Sequence, residues 1–202
     1  MNVQTLTRQE KAEAISVLIT AFHDYPVMRY MLKTSGTEYE YQLKAIMDFY
    51  CEARFAKEGL VLGIGSDDSF TAVALVDQAS HKPWDQLKGE LERLKGIIGD
   101  SAFSRLQWYE DLSSRSQPQV SHYYLGMIAV RPENQGQGYA RAILDHVKGL
   151  SATDPNSAGV CLSTELPDNV RLYEHFGYHV IAEVDIEELH SWCMFLPTLK
   201  HQ

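Results

Sequence analysis

Cysteine is scarce in this chain, with three in 202 residues, and Cys51, Cys161 and Cys193 are scattered. Their odd number and wide spacing exclude a disulfide framework and any zinc-type pattern. Cys161 and Cys193 fall in apolar runs of strand character, where a buried structural thiol is expected and a catalytic one is not. The histidines show no metal-ligand spacing, so no metal is expected. Long apolar runs are missing too: none reaches the roughly 18–20 residues that span a bilayer. Residues 1–11 also lack the apolar centre of a signal peptide. A cytoplasmic protein with no membrane partner is therefore expected. Positive charge is in deficit, 18 Lys and Arg against 27 Asp and Glu, for a net −9. That argues against nucleic acid, which requires a basic surface. An acidic field favours a cationic acceptor such as an amine, although acidity also serves solubility alone. Repeats, low-complexity tracts and linkers are absent, and residues 1–202 suit one domain with a sizeable core.

What is present centres on residues 123–141. Tyr123-Tyr124-Leu125-Gly126-Met127-Ile128-Ala129-Val130 is rich in aromatic and β-branched residues and reads as a buried strand. Pro132 cannot donate to a sheet ladder and ends it. After the turn Gln135-Gly136-Gln137-Gly138, apolar Ala140, Ile143, Leu144 and Val147 recur on one helical face. Strand, glycine turn and helix together leave N–H groups pointing out of a helix N-terminus, where phosphate oxygens bind. Gly136 and Gly138 let an anion approach the backbone closely. The same two glycines equally suit a tight turn without a ligand. A dinucleotide fingerprint fits poorly, because Arg141 holds the third glycine position and the motif comes late. A P-loop needs Gly-Lys-Ser/Thr, which is absent.

Around this unit, residues 3–6 predict a strand, and Thr7-Arg8-Gln9-Glu10 a capping box before a helix carrying Ile15, Leu18, Ile19 and Phe22. Pro26 breaks that helix, and a short helical turn is expected over 27–32. Residues 37–57 predict a second long helix, with Leu43, Ile46, Met47, Tyr50 and Ala53 on its apolar face and Gly59 as a C-terminal glycine cap. Strands over 60–64 and 70–76 flank the hairpin signal at 65–68. Residues 83–98 and 102–112 look helical, with Gly99 and Asp100 between them, and 113–119 reads as a polar loop. This excursion over 77–120 either covers an acceptor pocket or only adds packing. Trp84, Trp108 and Tyr109 are expected in the core. A strand over 159–164, a helix over 168–176 opened by Pro167 and stopped at Gly177, and strands over 178–186 and 190–196 complete the chain.

Gln135-Gly136-Gln137-Gly138-Tyr139-Ala140, preceded by Val130-Arg131-Pro132, resembles the acetyl-CoA loop of the GNAT superfamily of acyl-CoA N-acyltransferases. The element order, with Asn169-x-x-x-Tyr173-x-x-x-Gly177-Tyr178, extends that resemblance. More narrowly, the chain resembles the puromycin N-acetyltransferase-like branch. Ala21-Phe22-His23-Asp24-Tyr25-Pro26, the 130–140 run, Leu172-Tyr173-Glu174-His175-Phe176-Gly177-Tyr178 and Trp192-Cys193-Met194 carry this likeness. The resemblance implies an α/β fold: a mostly antiparallel sheet of about seven strands, splayed between the fourth and fifth, with helices on both faces. It also implies acetyl-CoA as cosubstrate. Pantetheine would meet the main chain of Ile128, Ala129 and Val130. The diphosphate would take N–H groups from Gln135, Gly136, Gln137, Gly138, Tyr139, Ala140 and Arg141.

Acetyl transfer from a thioester to an amine needs a polarised carbonyl, a neutral amine, a protonated leaving thiolate and alignment of both substrates. Asn169 and Tyr173 lie four apart and share a helical face. The resemblance makes both cofactor contacts and makes Tyr173 the acid that protonates the thiolate. An unperturbed tyrosine, with a pKa near ~10, keeps its proton at neutral pH. For the base, branch members carry glutamate where this chain has Ser163. Strand alternation turns Glu165 the same way as Ser163, so Glu165 is the candidate base, directly or through water. An exposed acid at a strand end is its plain alternative, and His122, Tyr124 and solvent are the other candidates. His190, Trp192 and Met194 share one face of the last strand, expected to be core packing. The expected activity is acetylation of a small primary amine by direct attack in a ternary complex. Acetylation of a protein or peptide, and a non-catalytic CoA-binding homologue, stay open. So does the oligomeric state, a homodimer included.

Overall fold

A computed structural model describes residues 1–56, 59–66, 69–79 and 87–198. The elements follow the order β1 (Gln4–Thr5), α1 (Lys11–Phe22), α2 (Pro26–Met31), α3 (Tyr39–Ala56), β2 (Leu60–Ser66), β3 (Ser69–Asp77), α4 (Lys88–Ser116), β4 (Tyr123–Val130), α5 (Tyr139–Thr153), β5 (Gly159–Thr164), α6 (Pro167–His175), β6 (His179–Ile186) and β7 (Leu189–Pro197). One seven-stranded sheet runs β1-β2-β3-β4-β5-β7-β6. Every neighbouring pair is antiparallel except β4 and β5.

The parallel pair is short. Tyr123, Tyr124 and Leu125 face Val160, Cys161 and Leu162, and the two strands then part. Met127–Val130 therefore keep β3 on one side and, among the described residues, have no strand on the other. This is the expected splay between the fourth and fifth strands.

Two apolar layers cover the sheet. α1, α2, α3 and α4 pack over Val73, Leu75, Met127 and Ala129 on one face. α5 and Tyr173 of α6 pack over Ala72, Ala74, Tyr123, Leu125 and Leu162 on the other. Without a bulge, the odd-numbered residues of β4 would all face one way. Here Leu75 opposes Met127 while Val76 opposes Leu125, so Gly126 is an extra residue. Such a bulge shifts the strand's alternation by one. It turns Tyr123 and Leu125 toward α5, and Met127 and Ala129 toward α1. Gly126 also makes room: a Cβ there would lie 2.6 Å from Nη2 of Arg54.

Several expectations need correction. The helix expected to end before 113 runs on through Ser116. Leu112 packs against the core and the Ser113 hydroxyl meets Tyr124 at 3.3 Å, so tertiary partners offset the polar composition. Gly99 breaks α4 as a single residue at φ 79° and ψ 163°. Trp108 is 51% exposed rather than core, and Tyr109 lines a cavity. Gly59 closes α3 by donating to the Arg54 carbonyl at 2.8 Å. Its φ is not left-handed; the demand there is spatial, because a Cβ would meet Arg54 Cγ at 2.9 Å and the Val76 carbonyl oxygen at 3.0 Å. Glu10 accepts the Thr7 N–H and hydroxyl, both at 2.6 Å, yet α1 begins only at Lys11. The box thus closes the turn ahead of the helix. Gly177 does take the left-handed cap, at φ 89°. Trp84 and the tip of the β2–β3 hairpin at 67–68 lie outside the described residues. No helix among the described residues is long and apolar enough to cross a membrane.

Replacing Gly126 with Ala should displace the buried Arg54 guanidinium and lower stability by about 1–3 kcal/mol, the usual cost of overpacking. Urea unfolding checks this; an unchanged midpoint would mean that Arg54 yields freely.

Candidate active site

The gap left where β4 leaves β5 opens into a cavity of about 990 Å³. β4 supplies Tyr124 through Ile128, and β5 with the residues after it supplies Ser163 and Glu165. Asn169 and Tyr173 come from α6, Phe22 and Met28 from the first two helices, and Leu106, Tyr109 and Glu110 from the second half of α4. α4 therefore walls the cavity as well as packing against the core.

Glu165 is not the exposed strand-end acid that its position allowed; it is 8% exposed. Its Oε1 accepts the Tyr109 hydroxyl at 2.9 Å and the Ser191 hydroxyl at 2.7 Å. Its main-chain N–H donates to the Tyr25 hydroxyl at 3.2 Å, which lies 3.1 Å from Thr164 Oγ1. Asn169 Nδ2 donates to that same Thr164 oxygen at 3.2 Å. Burial raises the Glu165 pKa above the ordinary glutamate value, and the Ser191 and Tyr109 hydroxyls oppose the rise. Tyr173 is 7% exposed, and burial followed by the nearby Glu165 carboxylate pushes its phenol well up. It stays protonated and able to donate at neutral pH. Ser163 and Glu165 do line the same cavity, as alternation requires.

The other base candidates are engaged. Tyr124 is half-buried, meets Ser113 Oγ at 3.3 Å, and has its pKa raised chiefly by desolvation of its phenol. His122 places Nδ1 at 2.6 Å from the Val120 carbonyl and Nε2 at 3.3 Å from Gln117 Oε1. His190 meets Asp185 at 2.6 Å and Glu183 at 3.0 Å, while Trp192 and Met194 pack on the α5 side of the sheet. None of those three lines the cavity.

Beyond β4, a 3₁₀ turn at Pro132–Asn134 leads to Gly136 at φ 75° and Gly138 at φ 89°. Both are left-handed conformations that side chains disfavour, and a Cβ at either would meet nothing within 4 Å. The Gln135 N–H turns inward to the Pro132 carbonyl at 3.3 Å, and the Ala142 N–H to Gly138 at 3.0 Å. Between them, the N–H groups of Gly136, Gln137, Gly138, Tyr139, Ala140 and Arg141 make no hydrogen bond among the described residues. These are the amides an anion at the start of α5 would meet; of the seven named from sequence, only that of Gln135 is spent internally. Ile128 lines the cavity, whereas Ala129 is buried under α1 and Val130 packs toward α5.

Sequence reasoning missed Tyr25, Tyr109 and Ser191 as the setting of Glu165. It also missed Arg54, which is 4% exposed and donates to Asp77 Oδ2 at 2.8 Å. Glycine inside a strand pattern at Gly126 was the available signal of a close approach; for the three hydroxyls there was none.

The splayed sheet with helices on both faces is the GNAT acetyltransferase fold. A family model described as an acetyltransferase (GNAT) domain matches residues 91–180. An uncharacterized N-acetyltransferase of Schizosaccharomyces pombe is 24% identical over 197 residues, covering 88% of this chain and 74% of the relative. A solved structure from Corynebacterium glutamicum, described as a histone acetyltransferase and related acetyltransferase, superposes with TM-score 0.74 at 19% identity over 99% of this chain and 97% of its own. The ribosomal-protein-S18-alanine N-acetyltransferase of Escherichia coli superposes with TM-score 0.59 at 15% identity, covering 100% of this chain and 96% of its own.

A raised Glu165 pKa means the folded state holds a proton that the unfolded chain has released. The associated stability is fully present below the ordinary glutamate value and is lost as pH climbs through the raised one. Relative to wild type, Glu165→Gln should therefore gain stability progressively across that window. Urea unfolding at several pH values checks this, and a difference that stays flat with pH would contradict it.

Proposed function

We propose that this protein moves an acetyl group from acetyl-CoA to the primary amine of a small molecule, by direct attack within a ternary complex. The observation that carries the proposal is one cavity, at the open edge of β4, lined by a buried carboxylate from the turn after β5 and a buried phenol from α6. The six unspent amides at the start of α5 suit the diphosphate of the cosubstrate, and the main chain of Ile128, Ala129 and Val130 suits its pantetheine arm. Gln135 contributes to that loop through its side chain on this reading, since its N–H is turned to Pro132. The cosubstrate supplies an acetyl thioester. Glu165, oriented by Tyr109 and Ser191, takes a proton from the ammonium form of the acceptor, and the freed nitrogen bonds to the acetyl carbon. The carbon–sulfur bond breaks, Tyr173 gives its proton to the departing sulfur, and the second proton lost by the acylated nitrogen passes to the Tyr173 phenolate, directly or through solvent. The products are an N-acetylated amine and the free thiol of CoA; proton exchange with solvent restores Glu165. Asn169 holds Thr164 and with it the turn that carries Glu165.

Residues 1–202 act as one catalytic domain on this reading, with 77–120 as a helical excursion. The narrower placing near the puromycin N-acetyltransferase-like branch rests on the sequence motifs. Acetylation of a protein is the second reading, favoured by the E. coli structure named for a ribosomal-protein acceptor. The second half of α4 favours the small molecule, because it walls the cavity where a peptide would need an open groove.

Release of CoA thiol with a panel of amines tests the activity. Tyr173→Phe should lower kcat by about 10²-fold or more, the usual worth of a positioned acid, with acetyl-CoA affinity by calorimetry unchanged. Unchanged turnover, with chemistry limiting the rate, would remove Tyr173 from the mechanism. In the wild type, kcat/KM should rise with pH through the elevated Glu165 pKa. Glu165→Gln should lose that rise, and a variant that keeps it would exclude Glu165 as the base.

A further inference from the structure

The charges around the cavity narrow the acceptor, given the transferase reading. Among the described lining residues the permanent cation is Arg54, set against Asp77, Glu110, Asp111 and Glu165. Arg54 does not offer a free charge. Its Nη2 is bonded to Asp77 at 2.8 Å and its Nη1 lies 3.4 Å from the Tyr50 carbonyl, while the Glu110 carboxylate also acts on it. Glu110 in turn accepts the Tyr50 hydroxyl at 2.5 Å. The Glu165 carboxylate accepts from the Tyr109 and Ser191 hydroxyls, and no cation among the described residues pairs with it. An acceptor carboxylate brought into this space would lose its water and gain no counter-charge, which is costly in a buried site. An ammonium group meets the opposite situation.

Shape adds a second restriction. The cavity lining includes the carbon surfaces of Phe22, Tyr25, Met28, Leu106 and Tyr109, and of these Tyr25 and Tyr109 reach Glu165 through their hydroxyls. Phe22 and Tyr25 stand with ring centroids 5.0 Å apart at 57°, giving a rigid aromatic corner. A small polar amine leaves that surface wet, whereas an apolar or aromatic body covers it and gains by burial.

We infer that the acceptor is a primary amine carried on an uncharged apolar body of aromatic size, without a carboxylate. The counter-case is an acceptor whose carboxylate reaches Arg54 Nε, which is buried without a partner among the described residues.

Calorimetry on the CoA-saturated wild-type protein with 2-phenylethylamine, phenylalanine and ethylamine tests this, with thiol release from acetyl-CoA measured in parallel. The first pair differs only by the carboxylate, and 2-phenylethylamine differs from ethylamine only by the ring. We expect 2-phenylethylamine to bind at least about tenfold more tightly than either. Phenylalanine binding as well or better overturns the exclusion of carboxylates, and ethylamine binding as well overturns the apolar body. Binding by none of the three also overturns the inference. The expected order of affinities without thiol release sinks the transferase reading while leaving the ligand class standing. Thiol release confined to phenylalanine keeps the transferase and overturns the ligand class.

Discussion

Everything at the candidate site depends on β4 and β5 pairing at three positions and then separating. A parallel pair that continued would bury the edge of β4 in hydrogen bonds and leave no space between the strands. By separating after Leu125, the strands expose the main chain of residues 126–130 to whatever enters the gap. The bulge at Gly126 falls at that point, and it has two consequences. It reverses the faces of β4, so that Tyr124 joins the cavity wall while Met127 and Ala129 seat α1. It also leaves the volume into which the Arg54 guanidinium fits.

A charge this deep is costly unless paired, and removing one partner of such a pair typically costs about 3–5 kcal/mol. Asp77 at the end of β3 supplies the partner. The pair links α3 to the sheet beside the cavity, so the wall that an acceptor would touch is fixed by packing and charge together. Glu165 is treated differently. Neutral hydroxyls from α4 and β7, and a third from the corner between α1 and α2, surround it. Three parts of the chain thereby converge on one residue. Its raised pKa follows from the burial that this convergence produces.

Much of the architecture was legible beforehand because it rests on local patterns. The strand expected over 159–164 is β5, and Pro132, Pro167 and Gly177 mark ends that the backbone respects. Legibility failed where distant partners outweighed composition. Ser113 and Ser116 read as loop and are helical, since Ser113 meets Tyr124 at 3.3 Å and Leu112 packs against the core. Trp108 read as core and faces solvent, because the inward face of the second half of α4 is carried by Ala102, Phe103 and Leu106, with Tyr109 and Leu112 packed against the core, and Trp108 falls off it.

For the site, the sequence by itself determined the glycine turn ahead of α5, the face shared by Asn169 and Tyr173, and the common direction of Ser163 and Glu165. Each follows from backbone periodicity or from a residue's own φ preference, which neighbours along the chain suffice to specify. Only the tertiary structure decided that Glu165 is buried, that Tyr25, Tyr109 and Ser191 surround it, and that Asp77 cancels the charge of Arg54. Those facts join residues up to 140 positions apart. Such distances are closed by the folding of the sheet between its two helical layers, and no local pattern records them.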